Sequence, residues 1–376
     1  MAVSTFWLTP PSSFFNSPKR LTPSNRSQRI NTFQRLEISV KVISIGQSGM
    51  SFLISTHLFA QWYLFGTYRT IMCLLYMGYL MGYCNTEGRR GQAPCPRKRK
   101  GGGVVDRIGS RIEDQAGRLE YLLHFLRDEN PRCRGMEIPG DGEGRRRLLR
   151  ALMNVRPPWP IGGDFLEVQD AYLQEEARRK GIVDAEALPV AAEEPGASFL
   201  SVWRGDITTL RADAVVNAAN ASLLGCFVPG HGCIDNVIHT YAGVQLRLEC
   251  DALMRRQGHE EPTGGAKITG AYNLPSRHVV HTVGPIVADR PTRRDRALLA
   301  DCYRSCLELA RSHRLVSIAF CCISTGEFRF PQQEAAEIAV ETVRGFLREH
   351  GAGMRVIFDV FKESDHDIYR RLLGCD

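Results

Sequence analysis

The stretch FLSVWRGDITTLRADAVVNAANAS, residues 199–222, determines the architecture that we predict, because two short apolar runs in it each end in a polar loop. The runs at 199–203 and 214–218 have the length and the β-branched content of buried strands. A Gly-Asp pair follows the first run, and an Asn-Ala-Ala-Asn segment closes the second. Turn chemistry accounts for these residue types, but Asp can also accept hydrogen bonds from an amine and Asn can bind hydroxyls.

Downstream of this stretch, short β-branched runs alternate with longer amphipathic segments. We predict strands at 266–269, 278–283, 316–323 and 354–361, and helices at 234–257, 293–313, 332–350 and 365–373. Alternation of this kind indicates an α/β domain over residues 198–376, with a mixed, largely parallel sheet sandwiched by helices. In such sheets ligands bind beyond the carboxyl ends of the strands, so the loops there are the expected site.

Upstream of this domain the sequence pattern is helical. Leucine and phenylalanine side chains recur with helical spacing over residues 118–126, and further helices are predicted at 144–153 and 163–180. We therefore expect a small helical extension at 112–185 that packs on the α/β domain. Residues 183–197 are predicted to be a linker, because Pro, Ala and Glu dominate there and no period holds.

The first 111 residues differ from the rest of the chain in charge. They hold 15 Lys and Arg against three acidic residues, a local net charge of +12, whereas the whole chain carries +7. Residues 112–376 therefore carry −5, and the alkaline balance is no reason to expect a nucleic-acid partner. Residues 1–36 contain no acidic side chain and many Ser, Pro, Thr and Arg, which fits either an organellar transit peptide or a disordered tail.

An apolar stretch at 50–84 precedes a basic run in the same segment. Residues 50–68 alone have about the length of 20 residues that a membrane span needs, but polar side chains interrupt them. For residues 1–111 the sequence leaves open a transit peptide, a membrane anchor, a disordered tail and translated sequence upstream of the true start. It also leaves open a cytoplasmic or a mitochondrial location, with or without membrane association through 50–84.

The cysteines indicate the redox compartment. Twelve in a chain of 376 residues are too sparse and irregular for a disulfide framework, which favours a reducing, intracellular environment. Most of these thiols are expected to be inert core residues. Cys226 and Cys233 are the exceptions.

The segment CFVPGHGC brings Cys226, His231 and Cys233 within eight residues of one another. Two thiolates and an imidazole suit zinc, and the Pro and Gly residues between them let a short loop fold back so that the three converge. No fourth Cys or His stands nearby in the sequence, which predicts a catalytic zinc site with an open position rather than a closed structural one. The alternatives are a Gly- and Pro-rich loop with two unrelated cysteines, or a redox pair.

A third polar loop follows the predicted strand that ends at Ile323. It reads STGEFRFP, residues 324–331, and precedes a predicted helix. Hydroxyls and backbone N–H groups at the start of a helix can hold a diphosphate without any lysine, and the two Phe side chains could pack on a ribose or a base. The alternative is a strand-to-helix turn with aromatic core anchors.

Taken together, these loops resemble a known family. The motifs GDIT, NAAN, IDNVIH, HTVGP and ISTGEFRFP occur in the order and spacing of a macrodomain, the ADP-ribose-binding fold. The segment CFVPGHGC resembles the zinc-dependent branch of that family, which is known from microbial pathogens and from fungi and related lineages. The segments RLEYLLHFL and ALMNVRPPWPI resemble the N-terminal extension of that branch. The resemblance covers residues 112–376 and none of residues 1–111.

The resemblance implies roles for individual residues. Asp206, with Ile207 beside it, would contact the adenine amine. Asn220 and Asp235 would face the distal ribose, where the scissile bond lies, and are the predicted catalytic residues. The metal ligands would be Cys226, His231 and Cys233. The set predicted to contact ADP-ribose is Asp206, Ile207, Asn220, Cys233, Ile234, Asp235, Ser324, Thr325, Gly326, Glu327, Phe328 and Phe330.

Within the third loop, the resemblance assigns residues 324–328 to the diphosphate and Phe330 to the neighbourhood of the distal ribose. Two departures from ordinary macrodomains stand out. The usual run of consecutive glycines is replaced by the Cys/His segment, so a metal would take over part of the substrate positioning. Arg329 stands where many macrodomains have Gly, which changes the rim of the phosphate loop.

The activity that the resemblance implies is zinc-dependent hydrolytic removal of mono-ADP-ribose from modified proteins, with one Zn²⁺ per macrodomain. Zinc would orient a ribose hydroxyl or activate water, Asp235 would position or deprotonate the nucleophile, and Asn220 would hold the ribose. Binding of ADP-ribose without cleavage and deacylation of O-acyl-ADP-ribose stay open as alternatives. The implied partners are a mono-ADP-ribosylated protein, a linked sirtuin-type ADP-ribosyltransferase and, in some microbes, a lipoyl-carrier protein.

Overall fold

The computed structural model describes residues 112, 114–350 and 353–375. The predictions for residues 1–111, including the apolar stretch at 50–84, therefore lie outside the described residues. Among the helices of the described ranges, none combines the length and the apolar character that crossing a membrane requires.

The extension is helical, as predicted. In the described part it consists of α1 (Gln115–Glu129), α2 (Gly142–Val155) and α3 (Gly163–Lys180). The carboxylates of Asp114 and Asp141 cap the first two helices, each accepting a hydrogen bond from a backbone N–H three residues further on. The apolar faces of the three helices form a core of their own. Its most deeply buried members include Leu122, Leu123, Leu126, Leu152, Phe165 and Val168.

The second part of the structure is built on β-strands. The strands are β1 (Val183–Asp184), β2 (Ala192–Glu194), β3 (Ser198–Arg204), β4 (Leu210–Arg211), β5 (Ala214–Ala219), β6 (Ala266–Gly270), β7 (His278–Val283), β8 (Ser317–Phe320) and β9 (Arg355–Val360). The described residues contain a seven-stranded sheet in the order β2-β3-β9-β8-β5-β7-β6, and β1 pairs with β4 alone. The pairs β2–β3 and β6–β7 at its two ends are antiparallel, and the pairs between them are parallel. The predicted mixed, largely parallel sheet is confirmed.

Helices cover this sheet. They are α4 (Ile234–Ala242), α5 (Val244–Gln257), α6 (Arg293–Ser312), α7 (Gln332–His350) and α8 (Glu363–Leu373). The middle strands have side chains of zero exposure at successive positions, for example Val215 and Val216 in β5 and Val279 and Val280 in β7. Since successive side chains of a strand point to opposite faces, both faces of the sheet are covered.

The predicted single helix at 234–257 is wrong, because the structure breaks it at Gly243. This residue has φ of +96°, in the left-handed region that favours glycine. A Cβ atom there would lie 2.6 Å from Nε2 of Gln169. Gln169 belongs to the extension, and its Oε1 accepts a hydrogen bond of 3.0 Å from the backbone N–H of Val244. The break is therefore the place where α3 docks on the α/β domain.

Two other predicted elements are corrected. The expected linker at 183–197 contains β1 and β2, and β2 forms an antiparallel edge of the main sheet. The strand predicted at 316–323 is only four residues long, because Val316 is 60% exposed and the chain leaves the sheet after Phe320. Strands of two to four residues are too short for a period of two to identify them from sequence.

Candidate active site

A cavity of about 1310 Å³ opens where the strands of the main sheet end. The loops after β3, β5, β8 and β9 line it, which is where an α/β sheet is expected to bind ligands. Its volume exceeds the range of roughly 300–1,000 Å³ that is typical of small-ligand pockets, so it suits an extended ligand. The predicted site residues that line it are Asp206, Ile207, Asn220, Cys226, His231, Cys233, Ile234, Asp235, Ser324, Thr325, Gly326, Glu327 and Phe328.

Phe330 is the predicted site residue that the structure places away from this lining. Its side chain is 2% exposed and belongs to the main hydrophobic core. Its backbone N–H donates a hydrogen bond of 2.9 Å to the carbonyl of Ser324. Phe330 therefore anchors its loop from beneath as an aromatic core residue, and its expected place near a distal ribose stays a prediction.

Asp206 lies at one end of the cavity, in the turn after β3. Its carboxylate accepts hydrogen bonds from the backbone N–H of Thr208 at 3.0 Å and from Nζ of Lys180 at 2.9 Å. Partial burial acts to raise the pKa of Asp206, but the hydrogen bonds from Thr208 and Lys180 outweigh it, and the pKa lies below its usual range. Asp206 is therefore an ionised acceptor, as recognition of an amine requires.

Two residues at the end of β9 border the same end of the cavity, although no sequence motif marked them. Asp359 is buried, and burial, reinforced by the negative charge of Asp206, holds the pKa of its carboxyl well above the usual range. Phe361 is 88% exposed and lines the cavity. An exposed aromatic ring beside a cavity offers a face on which a base can stack. Phe361 was not predicted as a site residue, because the sequence pattern counted it as the last residue of a strand.

The loop between β5 and α4 brings the three predicted metal ligands together. Sγ of Cys226 lies 3.5 Å from Nδ1 of His231, and the ligand atoms of Cys226, His231 and Cys233 all lie within 4.8 Å of one another. Gly230 has φ of +62°, which lets the chain reverse between the ligands. Three donors of these types, this close together, fit a zinc ion.

The surroundings of the two cysteines favour a thiolate. Cys233 is the N-cap of α4, and its Sγ accepts a hydrogen bond of 3.4 Å from the backbone N–H of Asn236, a position that stabilises negative charge on sulfur. The hydrogen bond from the Cys233 thiol lowers the pKa of Cys226 to about 4, with a further contribution from His231. The same pairing raises the pKa of Cys233. One sulfur is thus a thiolate at neutral pH, and a bound cation would take the place of the shared proton.

His231 connects this loop to the loop after β8. Its Nε2 lies 3.3 Å from Oε1 of Glu327, while its Nδ1 faces Cys226. The hydrogen bond with Cys226, supported by the charges of Cys226 and Glu327, raises the pKa of His231. A carboxylate on the second ring nitrogen is the usual device that orients a metal-binding histidine.

The loop after β8 is closed by hydrogen bonds within its own backbone. The N–H of Phe330 donates to the carbonyl of Ser324 at 2.9 Å, and the N–H of Arg329 donates to the carbonyl of Gly326 at 3.0 Å. Ser324 and Arg329 have φ of +64° and +56°, which bends the loop tightly. Among the described residues, the hydroxyl of Ser324 is buried without a hydrogen-bond partner. A phosphate oxygen would satisfy it.

Asp235, in the first turn of α4, carries the carboxylate next to the metal ligands. Its Oδ1 accepts a hydrogen bond of 2.8 Å from Nδ2 of Asn217, and its Oδ2 accepts one of 3.3 Å from Nδ2 of Asn220. Burial raises the pKa of Asp235 to about 7, opposed by the bond from Asn217 and reinforced by the charge of Cys226. A cavity carboxyl that titrates near neutrality has the properties of a general acid or base.

A buried histidine holds Asn217 in place. Nδ1 of His281 lies 3.1 Å from Nδ2 of Asn217, and its Nε2 lies 2.9 Å from Oγ1 of Thr269. Burial lowers the pKa of His281 to about 3, so the ring is neutral. With Nδ1 accepting and Nε2–H donating, the ring directs the amide of Asn217 towards Asp235. No local pattern marks this role, because the HTVGP motif has the appearance of an ordinary strand.

Two further side chains complete the buried cluster. The ligand atoms of His239, Cys250 and His281 lie within 4.8 Å of one another, and Nε2 of His239 lies 3.6 Å from Oδ1 of Asp235. Both ring nitrogens of His281 already face hydrogen-bonding partners, so this group is a polar core behind Asp235 rather than a second metal site.

The helical extension forms part of the cavity wall. Arg150, Trp159 and Lys180 line the cavity, and Nζ of Lys180 lies 3.3 Å from the ring centroid of Tyr241. The segment ALMNVRPPWPI includes Trp159, but no sequence motif placed any of the three in the site, because the extension reaches the cavity only through tertiary packing.

The chain is similar to several known proteins. The family described as "Macro domain" matches residues 216–339. A protein named protein-ADP-ribose hydrolase from Treponema medium is 53% identical over 261 residues, which cover 69% of this chain and 99% of that protein. A protein of the same name from Staphylococcus aureus (strain MSSA476) is 45% identical over 267 residues, which cover 70% of this chain and 98% of that protein.

Among solved structures, this chain is similar to the Oceanobacillus iheyensis macrodomain with MES bound. The match is 41% identical, covers 47% of this chain and 92% of that chain, and superposes with a TM-score of 0.44.

Proposed function

The chain belongs to the macrodomain family, and we propose that it hydrolyses the bond between ADP-ribose and a modified protein. One observation carries the proposal: a single cavity contains a buried carboxylate, a Cys/His ligand set and a loop with an unpartnered buried hydroxyl. The two relatives named protein-ADP-ribose hydrolase support it, because the chain matches nearly their whole length.

ADP-ribose would lie along the cavity with its adenine at the end formed by Asp206 and Phe361. Asp206 would accept a hydrogen bond from the exocyclic amine, which would replace the one from Lys180. The exposed ring of Phe361 would stack on the base. The diphosphate would occupy the loop after β8, where the hydroxyl of Ser324 would donate to a phosphate oxygen. The distal ribose would then reach Asn220 and Asp235.

A zinc ion is part of the proposal, since the donor set has the chemistry that zinc prefers and leaves a position open. Cys226, His231 and Cys233 would hold it, and when bound it would supply a Lewis acid that polarises an oxygen at the reaction centre and promotes ionisation of water.

The chain's own residues would control the proton. A water molecule attacks either the anomeric carbon or the carbonyl carbon of an ester link, and its proton passes to the carboxylate of Asp235. Asn217 keeps that carboxylate oriented, and Asn220 would hold a ribose hydroxyl. The leaving group is the side-chain group in the first case and the ribose oxygen in the second. The bond to the protein breaks, Asp235 returns the proton to the leaving group, and ADP-ribose leaves.

The substrate that the resemblance suggests is a protein that a sirtuin-type transferase has mono-ADP-ribosylated. In some microbes this protein is a lipoyl carrier. This identification stays a prediction. It would be tested by offering such modified carriers in parallel with other mono-ADP-ribosylated proteins and ranking the rates of ADP-ribose release.

The proposed hydrolysis is tested by release of ADP-ribose from a mono-ADP-ribosylated protein by the wild type and by Asp235→Asn. We expect Asp235→Asn to lower the rate by about 10²–10⁴-fold, with little change in ADP-ribose affinity measured by calorimetry. A wild type that binds ADP-ribose and releases none from any modified protein would be a reader of the modification. Turnover confined to O-acetyl-ADP-ribose would identify a deacylase instead.

A further inference from the structure

The Cys/His loop is contacted by two polar side chains of α2, a helix outside the α/β domain. Arg150 and Asn154 stand four residues apart on this helix, so they lie on one face of it. Each makes a hydrogen bond to the backbone of the loop, across 81 and 76 residues of sequence.

Arg150 holds the loop at its central ligand. Its Nη2 donates a hydrogen bond of 2.6 Å to the backbone carbonyl of His231. Its Nε and Nη2 also donate to Oδ1 of Asn236, at 3.1 Å and 2.8 Å. A guanidinium that uses two nitrogens in this way fixes direction as well as distance.

Asn154 holds the residue before that ligand. Its Oδ1 accepts a hydrogen bond of 2.9 Å from the backbone N–H of Gly230. Its Nδ2 donates to Oγ1 of Thr240 in α4 at 2.9 Å, and the side chain is 1% exposed. Asn154 therefore ties the turn of the loop to the helix that begins at Cys233.

Asn236 links Arg150 to the start of the loop through hydrogen bonds. Its Nδ2 donates to the carbonyls of Cys226 at 3.2 Å and Val228 at 2.9 Å, and its side chain has no exposure. Together with the two α2 residues, it fixes the backbone at or beside Cys226 and His231.

The end of α2 is itself anchored on the α/β domain. Arg247 of α5 donates to the carbonyl of Met153 at 3.0 Å and to the carbonyl of Leu224 at 2.7 Å. One buried side chain therefore spans the last turn of α2 and the residue two positions before Cys226. The glycines let this loop adopt many conformations. The outside contacts therefore select the one in which the ligands converge.

We infer that the helical extension is part of the metal site, with Arg150 and Asn154 as positioning residues on which zinc affinity depends. This inference rests on the zinc site in the proposed function. Removal of residues that orient the ligands of a metal typically changes metal affinity by about 10- to 100-fold. The extension would thus do more than pack on the domain, because the ligands would be preorganised only when α2 is docked.

The test measures zinc affinity directly, by competition between the full chain and a chromophoric chelator in the absence of ADP-ribose. The variants are Arg150→Ala and Asn154→Ala. Arg147→Ala is the matched control, because Arg147 lies on the same helix, is exposed, and pairs with Glu143 on the surface. A Cys226→Ser/Cys233→Ser variant measures the zinc held by other cysteines of the chain.

We expect Arg150→Ala and Asn154→Ala each to weaken zinc binding by about 10- to 100-fold, with Arg147→Ala equal to the wild type. Circular dichroism and thermal unfolding of the zinc-free proteins check that the variants fold, and calorimetry measures their affinity for ADP-ribose. If an alanine variant does not fold, Arg150→Lys is measured instead, since it keeps the charge and loses the forked contact. It should still lose about tenfold in affinity.

Unchanged zinc affinity in the folded variants would overturn the inference and leave the proposed zinc site intact. A loss of ADP-ribose affinity with unchanged zinc affinity would also overturn it, because Arg150 would then be a substrate contact. A wild type that binds no more zinc than the double cysteine variant would overturn the zinc site, and this inference with it.

Discussion

The Cys/His loop and the loop after β8 line the same cavity, but they are held in different ways. The loop after β8 is closed by local backbone hydrogen bonds, such as Phe330 to Ser324, and one further backbone bond reaches it, from the N–H of Val287 to the carbonyl of Phe328 at 2.9 Å.

The Cys/His loop also has local hydrogen bonds, such as those from Asn236 to the carbonyls of Cys226 and Val228. In addition it is bonded to Arg150 and Asn154, at least 76 residues away. The loop after β8 is therefore held by the α/β domain alone, whereas the Cys/His loop depends also on docking of the extension. Damage to the two loops should have separable consequences.

The largest effect is expected from loss of a ligand in the Cys/His loop. Cys226→Ala removes one of three donors, so zinc binding and hydrolysis should both fall by at least about a hundredfold, more than for loss of a residue that only orients a ligand. ADP-ribose binding should persist, because the loop after β8 is intact. Zinc analysis, release assays and calorimetry on one preparation check this separation. Full activity of this variant without zinc would contradict it.

The second prediction concerns Gly284→Ala, which should distort the loop after β8. A Cβ atom at this position would lie 2.1 Å from Oγ of Ser324, and overpacking of this kind costs about 1–3 kcal/mol. Because this strain falls on the loop after β8 in the conformation that binds ADP-ribose, we expect the affinity for ADP-ribose to drop by about tenfold. Zinc affinity should stay unchanged. Calorimetry with ADP-ribose and chelator competition for zinc measure the two. Gly345→Ala is the control, because a Cβ there meets no atom within 4 Å.

If Gly284→Ala lowered zinc affinity as much as ADP-ribose affinity, the two loops would not be independent. That result would place the loop after β8 among the supports of the metal site.

The contact between the two loops is expected to matter less. Glu327 meets His231 at 3.3 Å, but its side chain is 70% exposed. Glu327→Gln keeps the shape and removes the charge, so zinc affinity should fall by less than about tenfold. The same chelator competition measures it. A loss above about a hundredfold would mean that Glu327 acts as a metal ligand rather than as a partner of His231.

The smallest effect concerns Asp359, at the far end of the cavity. The unfolded chain loses this proton near pH 3.9, whereas the native carboxyl keeps it to higher pH because burial raises its pKa. Between these two values the native state binds the extra proton, so ionisation favours unfolding and stability falls as pH rises. Asp359→Asn lacks this penalty, and its Tm should exceed that of the wild type by a growing margin above about pH 4.

A difference of 1 kcal/mol would shift the Tm of Asp359→Asn by about 2–4 °C. Thermal unfolding followed by circular dichroism from pH 4 to pH 8 measures it. A lower Tm for the variant across this range would show that the native carboxylate is stabilised rather than penalised.

Local patterns were enough to predict most of the fold. The β-branched runs of β5 and β7 and the long amphipathic helices α6 and α7 stand within a few residues of their predicted bounds. Edge strands as short as β2 escaped, because three residues show no period. The break at Gly243 escaped because its cause, the docking of Gln169, is 74 residues away in sequence.

The same limit applies to the site. Cys226, His231 and Cys233 were predicted because ligands within eight residues form a local pattern. Arg150, Asn154 and His281 have no such pattern, since their roles arise from contacts across the fold. The packing of Phe330 in the core could not be predicted for a related reason: whether an aromatic side chain in a loop faces ligand or core depends on backbone geometry that the sequence does not display.

The most direct test of the account measures whether hydrolysis by the full chain depends on zinc. The zinc content and the rate of ADP-ribose release from a mono-ADP-ribosylated protein would be compared between the wild type and Cys226→Ser/Cys233→Ser, with and without a chelator. We predict about one zinc more in the wild type than in the variant, as expected for a single three-ligand site, and release that the chelator abolishes and added Zn²⁺ restores. Release that survives the chelator, or equal zinc in both proteins, would contradict a catalytic metal in the Cys/His loop.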